Sequence, residues 1–260
     1  MKFFEELGRY SHFAFRAFLA ALRAIFRPGL VYTQLHQVLL GALPLGIAAG
    51  LTVGAVVWMH LRTTVEVLAG REAVPQLPRF LALAVALELA PIIAGLMAAG
   101  RTGASLGAEL GSMRLTEQID ALEVLGLSPM HKLVGPRVLA CMIALPLLTV
   151  FIAYLGILSG FLAELAGGGS LSWTQYYAAS LRNLTVAAVV PATLKTAVFG
   201  YLIGVTGCYF GMHAEGGTEG VGRAATRGVV VSIFLVLIVN VLLVRAIQLL
   251  PQTWSLPGGS

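Results

Sequence analysis

The sequence predicts an all-α integral membrane protein: one N-terminal helix lying in the membrane interface, then five transmembrane helices. Three observations carry this. Hydrophobic residues fill 58% of the 260 positions and charged residues only 11%, against roughly a quarter charged in soluble domains. The apolar residues come in continuous blocks rather than alternating, which favours helices over a β-barrel. One block, 138–163, runs through Pro146 without a formal charge, and is long enough to cross a bilayer.

The interfacial helix covers 2–27. Lys2, Arg9, Arg16 and Arg23 recur every seven residues and form one basic stripe, with Phe3, Phe4, Leu7, Phe18, Leu22, Ile25 and Phe26 around it. A basic stripe with apolar flanks describes a helix lying on the membrane rather than crossing it. Pro28-Gly29 ends it.

Spans are expected at 31–61, 80–112, 130–163, 184–212 and 224–247, within a single domain of 1–260. Residues 62–79, with Pro75 and Pro78, read as a loop, as does the glycine-rich 213–227, while 164–183 reads as a loop or short interfacial element. A short Pro- and Gly-rich tail follows Arg245. Small residues recur every fourth position at Gly46, Gly50 and Gly54, and again at Gly103, Gly107 and Gly111. Such stripes let a second helix approach closely. Arg101 and Glu109 are placed near or beyond the bilayer edge.

Between the second and third spans lies a charged island. Glu109, Arg114, Glu117, Asp120 and Glu123 punctuate an otherwise apolar chain. Over 115–126, Leu115, Ile119, Leu122 and Gly126 share one helical face, with Glu117, Asp120 and Glu123 on the other. Thr116 is the expected N-cap and Gly126 the stop, with Pro129 beyond. The pattern reads either as a polar loop that happens to be helical or as a docking helix offering an apolar ridge and an acidic flank to a partner. Lys and Arg placement sets orientation. Lys2, Arg9, Arg16, Arg23, Arg27, Arg101, Arg114, Lys132, Arg137, Arg223 and Arg227 fall on the island's side, against Arg62, Arg71, Arg79, Arg182 and Arg245. The N-terminus and the island are therefore expected in the cytoplasm and the C-terminus outside.

Glu88 and Lys195 are the charges deepest in the spans, where an ionisable group costs a few kcal/mol. Lys195 reads either as snorkelling or pairing with a neighbour for structural reasons, or, with Glu88, as the lining of a translocation path, a pair whose rearrangement couples to opening, or relay groups of an ion-coupled secondary transporter or channel. Gly103-Ala104-Ser105-Leu106-Gly107 matches a nucleophile-elbow pattern, but it sits inside a helix whose glycines packing already explains. The run 216–223 is glycine-rich yet lacks the Gly-Lys of a triphosphate-binding loop. No catalytic residue, metal site or nucleic-acid site is expected. Cys141 and Cys208 lie in apolar runs and suggest no disulfide.

The stretch 88–129, ELAPIIAGLMAAGRTGASLGAELGSMRLTEQIDALEVLGLSP, with Pro136-Arg137, closely resembles the MlaE-type permeases, membrane subunits of lipid-transporting ABC systems. Lys195, GCYFG at 207–211 and EGVGRAATRGVV at 219–230 match as well. Leu87 departs from the family pattern, in which many members carry Arg just before the Glu. The resemblance implies a homodimeric permease in the inner membrane of a double-membraned bacterium. It also implies a cytoplasmic ATPase that holds the ATP and Mg, a periplasmic MCE-domain partner, in some relatives a STAS-domain protein, and a phospholipid or similar lipid as substrate. The island then corresponds to a coupling helix, with Arg114, Thr116, Glu117, Gln118, Asp120, Ala121, Leu122 and Glu123 at the ATPase. The lipid site is expected between two copies, along glycine-lined first, second and fifth spans.

Overall fold

The computed structural model describes residues 2–182 and 184–249. Ten α-helices follow one another: α1 (Lys2–Ala24), α2 (Pro28–Ala69), α3 (Leu77–Ala84), α4 (Ala90–Ala98), α5 (Ala104–Leu115), α6 (Gln118–Val124), α7 (Gly135–Ala166), α8 (Trp173–Leu181), α9 (Val186–Met212) and α10 (Gly217–Leu249). No strand occurs among the described residues. Wide π-helical turns at Val85–Leu89 and Ala99–Gly103 join α3, α4 and α5, and a third, Met130–Val134, leads into α7. Five rods are thus long and apolar enough to cross a membrane: Pro28–Ala69, Arg71–Leu115, Met130–Ala166, Val186–Met212 and Gly217–Leu249.

The rods outrun the bilayer, and this corrects two expected loops. α2 has 42 residues, about 63 Å of helix at 1.5 Å per residue, roughly twice the hydrocarbon thickness. Its last turns, 62–69, stay helical because their charges are satisfied. Arg62 Nε donates to Glu66 at 3.1 Å and its Nη1 to Glu164 at 2.7 Å. The region 217–227 is likewise the first third of α10 rather than a loop, with Arg223 paired to Glu219 one turn away at 3.2 Å. Between 164 and 183 lies α8, opened by Ser172 and Gln175 in a reciprocal capping box. α10 runs past Arg245 to Leu249. The rest of the expected tail, and the side chains of Lys2 and Phe3, lie outside the described residues.

α1 has three sides, not two. Phe13, Ala17, Ala20, Ala21 and Ala24 are buried against the bundle, while Arg9, Arg16 and Arg23 form an exposed stripe and Phe4, Phe15 and Leu22 face outward. The alanines matter because α1 crosses the start of α7, where a methyl on Gly135 would stand 2.6 Å from the Ala20 carbonyl. Tyr201 on α9 donates to the Ala14 carbonyl at 2.8 Å, and Tyr10 bonds Thr206 at 2.8 Å. Burial of the Tyr10 ring raises its hydroxyl pKa, and the Thr206 bond opposes this only in part. Pro28 begins α2 rather than merely ending α1.

Both glycine stripes pack helices within this chain. Along α2, Gly46, Gly50 and Gly54 meet α7: Gly46 faces Leu148, Gly50 the Ile152 carbonyl, and Gly54 the Gly156 carbonyl and Ser159 Oγ. On α5, Gly107 faces Ala225 of α10, and Gly111 faces Val221 and Ala214. Gly207 and Gly211 of α9 close on the carbonyls of Gly103 and Gly107 at 3.1 and 3.0 Å from a would-be methyl. Backbones of three helices therefore converge on glycine. The faces of these stripes are filled by α7, α9 and α10 of the same chain.

Candidate functional site

Two regions hold the charged residues singled out in the sequence. The first is in the spans. Pro91 opens α4 and has no N–H to offer the carbonyl four residues back. That carbonyl, on Leu87, accepts from Lys195 Nζ at 2.9 Å, and the same ammonium donates to Glu88 Oε2 at 3.0 Å. So Glu88 and Lys195, 107 residues apart in sequence, form one ion pair. It is lopsided: the Lys195 side chain is 2% exposed and that of Glu88 43%. Glu88 sits in a π turn, a local widening often found at functional sites. Its carboxylate is anchored by a buried cation and open on its other side. Leu87, just before Glu88, offers no charge, and Lys195 supplies the cation from another helix.

Arg101 lies in the second π turn. Its guanidinium packs over Gly41 of α2, where any β-carbon would overlap it. Gly41 is thirteen residues into α2, about 20 Å from its start.

The second region is the island. α5 continues to Leu115, and Thr116 turns its hydroxyl back to the Ser112 carbonyl at 2.9 Å. It therefore ends α5 and does not cap α6, which corrects the N-cap expected from sequence. The residue before α6 is Glu117, the one non-glycine with positive φ (57°) among the described residues. This left-handed residue redirects the chain, so α6 has seven residues, not the three turns of 115–126. Gly126, with φ 72°, ends it, and Leu127 N–H bonds the Leu122 carbonyl at 2.9 Å. That is the glycine stop the sequence suggests.

The apolar ridge of α6 points inward. Ile119 is 2% exposed and Leu122 packs beside it on the core shared by α1, α5 and α7. The outer surface carries Glu117, Gln118, Ala121, Glu123, Val124 and Leu125. Arg114 pairs with Asp120, and Gln118 donates to Thr116 at 3.0 Å, so the corner is tied internally. Below it, Arg137 donates to Glu109 at 2.5 Å and to the Leu133 carbonyl at 3.0 Å. This links the two rods that flank α6. Glu109–Arg137 was not singled out as a pair from sequence, and the only signal was two opposite charges at the ends of neighbouring blocks.

Glu164 was also missed, since the third span was ended one residue short of it. It is fully buried between Arg62 and the Trp58 indole, which donates at 3.2 Å. The nearby Tyr176 hydroxyl is raised by burial and by the Glu164 charge. Ser105 is exposed within α5, not at a strand-to-helix turn.

A bundle of five membrane-crossing rods agrees with the sequence comparisons. Residues 31–246 match the family described as Permease MlaE. The chain belongs to the MlaE permease family. It is 34% identical over 245 residues to a probable ABC transporter permease protein of Rickettsia felis, covering 94% of this chain and 92% of that one. A probable ABC transporter permease protein of Synechocystis is 39% identical over 167 residues, 62% of this chain and 60% of its own. The chloroplastic protein TRIGALACTOSYLDIACYLGLYCEROL 1 of Arabidopsis thaliana is 39% identical over 163 residues, 63% of this chain and 46% of its own. This MlaE-family permease is a multi-pass membrane protein, and both polar regions fall inside the matched range.

Proposed function

We propose that this chain is the membrane subunit of an ABC transporter that moves phospholipids or related hydrophobic lipids. The carrying observation is the α6 corner. A helix that turns its own apolar ridge inward and leaves Glu117, Glu123, Val124 and Leu125 outside the spans is rigidly mounted and free on one side. A rigid mount is what transmitting force from a soluble partner requires. We take that partner to be a cytoplasmic ATPase holding the ATP and Mg, docked under a dimer of this chain. On this reading the N-terminus and α6 are cytoplasmic, in the inner membrane of a double-membraned bacterium. An MCE-domain protein, and in some systems a STAS-domain protein, completes the assembly.

The lipid assignment draws on the family and on a relative whose name carries trigalactosyldiacylglycerol. It also fits the in-span chemistry. Glu88 presents a half-exposed carboxylate in an apolar setting, where a headgroup ammonium could pair with it while acyl chains stay in the membrane. An ion-coupled transporter using the Glu88–Lys195 pair is the alternative. The test is the double variant Glu117→Lys/Glu123→Lys, reconstituted with the ATPase. Both residues are exposed, so the fold should survive, while ATP-dependent lipid transport should fall at least about tenfold, the equivalent of ~1.4 kcal/mol. Unchanged transport in that variant, or transport that follows an ion gradient without ATP, overturns the reading.

A further inference from the structure

A cleft of about 510 Å³ opens where α1 turns into α2, against the turn that follows α6. Its wall is basic: Arg23 and Arg27 from one side, His131 and Lys132 from the other, and no carboxylate lines it. Arg23 Nη1 donates to His131 Nε2 at 2.8 Å, and His131 Nδ1 lies 3.1 Å from Ser128 Oγ, so this cation is held in place. Arg27 and Lys132 are exposed and carry no ion pair among the described residues. The rim is apolar, with Phe26 87% and Leu127 42% exposed.

We propose that this cleft binds the phosphate of an anionic phospholipid from the leaflet on the α6 side. Arg27 directly precedes Pro28, the first residue of the first membrane rod, so the cleft lies at that rod's α6-side end, and the exposed Phe26 and Leu127 on its rim suit the boundary between headgroups and hydrocarbon. Basic groups at that depth attract anionic headgroups. A soluble acidic ligand would explain the cations but not the exposed ring of Phe26. A phospholipid uses both, phosphate on the basic wall and acyl chain along Phe26. Because the cleft's far wall is the 126–132 turn, a bound lipid ties α1 to the base of α6 and makes the setting of α6 depend on leaflet charge. This lipid is held, not transported, so the inference stands apart from the transport reading.

Phe26→Trp places a reporter on the rim, and its exposure means the fold tolerates the change. Emission above the Phe26 parent is followed in phosphatidylcholine nanodiscs containing brominated phosphatidylglycerol or, at equal mole fraction, brominated phosphatidylcholine. Half-quenching by the glycerol lipid is expected at a mole fraction at least about threefold lower, since each basic group adds measurable attraction. Arg27→Gln/Lys132→Gln should erase the preference. Arg9→Gln/Arg16→Gln, the same charge loss on the basic stripe outside the cleft, should keep it. Equal quenching by the two lipids, or loss of preference in both double variants, overturns the proposal. Relief of quenching by millimolar inorganic phosphate also overturns it, by showing a site for free anions.

Discussion

Because Pro91 has no N–H, the Leu87 carbonyl has no donor four residues on, and Lys195 reaches across from α9 to bond it while pairing with Glu88. The two charges differ in what they lose if the partner is removed. Glu88→Leu strands a buried ammonium, at a cost of about 2–4 kcal/mol, toward the range for breaking a buried pair. Lys195→Met leaves a carboxylate that is already half-exposed, so a smaller loss of about 1–2 kcal/mol is expected. Denaturant unfolding in nanodiscs should show that order, with the double variant less destabilised than the sum. An additive cycle would mean that the pair is not energetically coupled. Each charge was visible in the sequence as an anomaly in an apolar block. Their pairing was only one of several readings, because the choice depends on how α4 and α9 pack. Glu117 is the other residue whose conformation is informative. A left-handed non-glycine costs roughly 1 kcal/mol, so Glu117→Gly should raise stability by up to about that amount. Because it also loosens the hinge, ATPase-coupled transport should fall in the same variant, and a gain in both would argue that the bend is not needed.

Glycine decides how the elements approach one another. On Gly54 a methyl would overlap the Gly156 carbonyl and Ser159 Oγ, whereas one on Gly222 meets nothing within 4 Å. Gly54→Ala is therefore expected to destabilise by about 1–3 kcal/mol through overpacking. Gly222→Ala, inside α10, should stabilise by up to about 1 kcal/mol through helix propensity. Thermal unfolding of the two variants side by side separates packing from propensity, and equal effects would contradict the close approach of α2 and α7. The four-residue spacing of these glycines made a close helix contact legible in advance. Which helix fills it was not, since spacing records a groove but not its occupant. The ridge of α6 teaches the same lesson: Ile119 and Leu122 read correctly as one apolar face, but amphipathicity alone cannot distinguish a face turned to a partner from one turned to the chain's own core. Helix ends were the least legible. Arg62 and Glu66 look like loop residues until Glu164, some hundred residues later, completes their charge balance.

For the whole molecule, the apolar blocks were enough to place five membrane rods, because hydrocarbon leaves the backbone only helix or closed barrel, and continuous blocks select helix. Their topology rests on charge asymmetry, which the bundle makes directly testable. Cys141 and Cys208 are both fully buried, so a membrane-impermeant maleimide should leave the native chain unlabelled in intact cells. Gln118 on α6 and Thr174 on α8 are exposed and lie at opposite ends of the rods. The α6 corner follows the Arg71–Leu115 rod, and α8 follows the antiparallel Met130–Ala166 rod. A single cysteine at Thr174 should label in spheroplasts, and one at Gln118 only after the membrane is opened. The reverse pattern would put α6 outside, away from any ATP-driven partner. Labelling of both from one side would mean that the Met130–Ala166 rod does not cross the bilayer. The same two variants carry the coupling test further, since addition of the ATPase to opened membranes should protect Gln118→Cys and leave Thr174→Cys reactive. Protection at α6 alone would locate the partner on the surface that this helix leaves free by turning its apolar ridge inward.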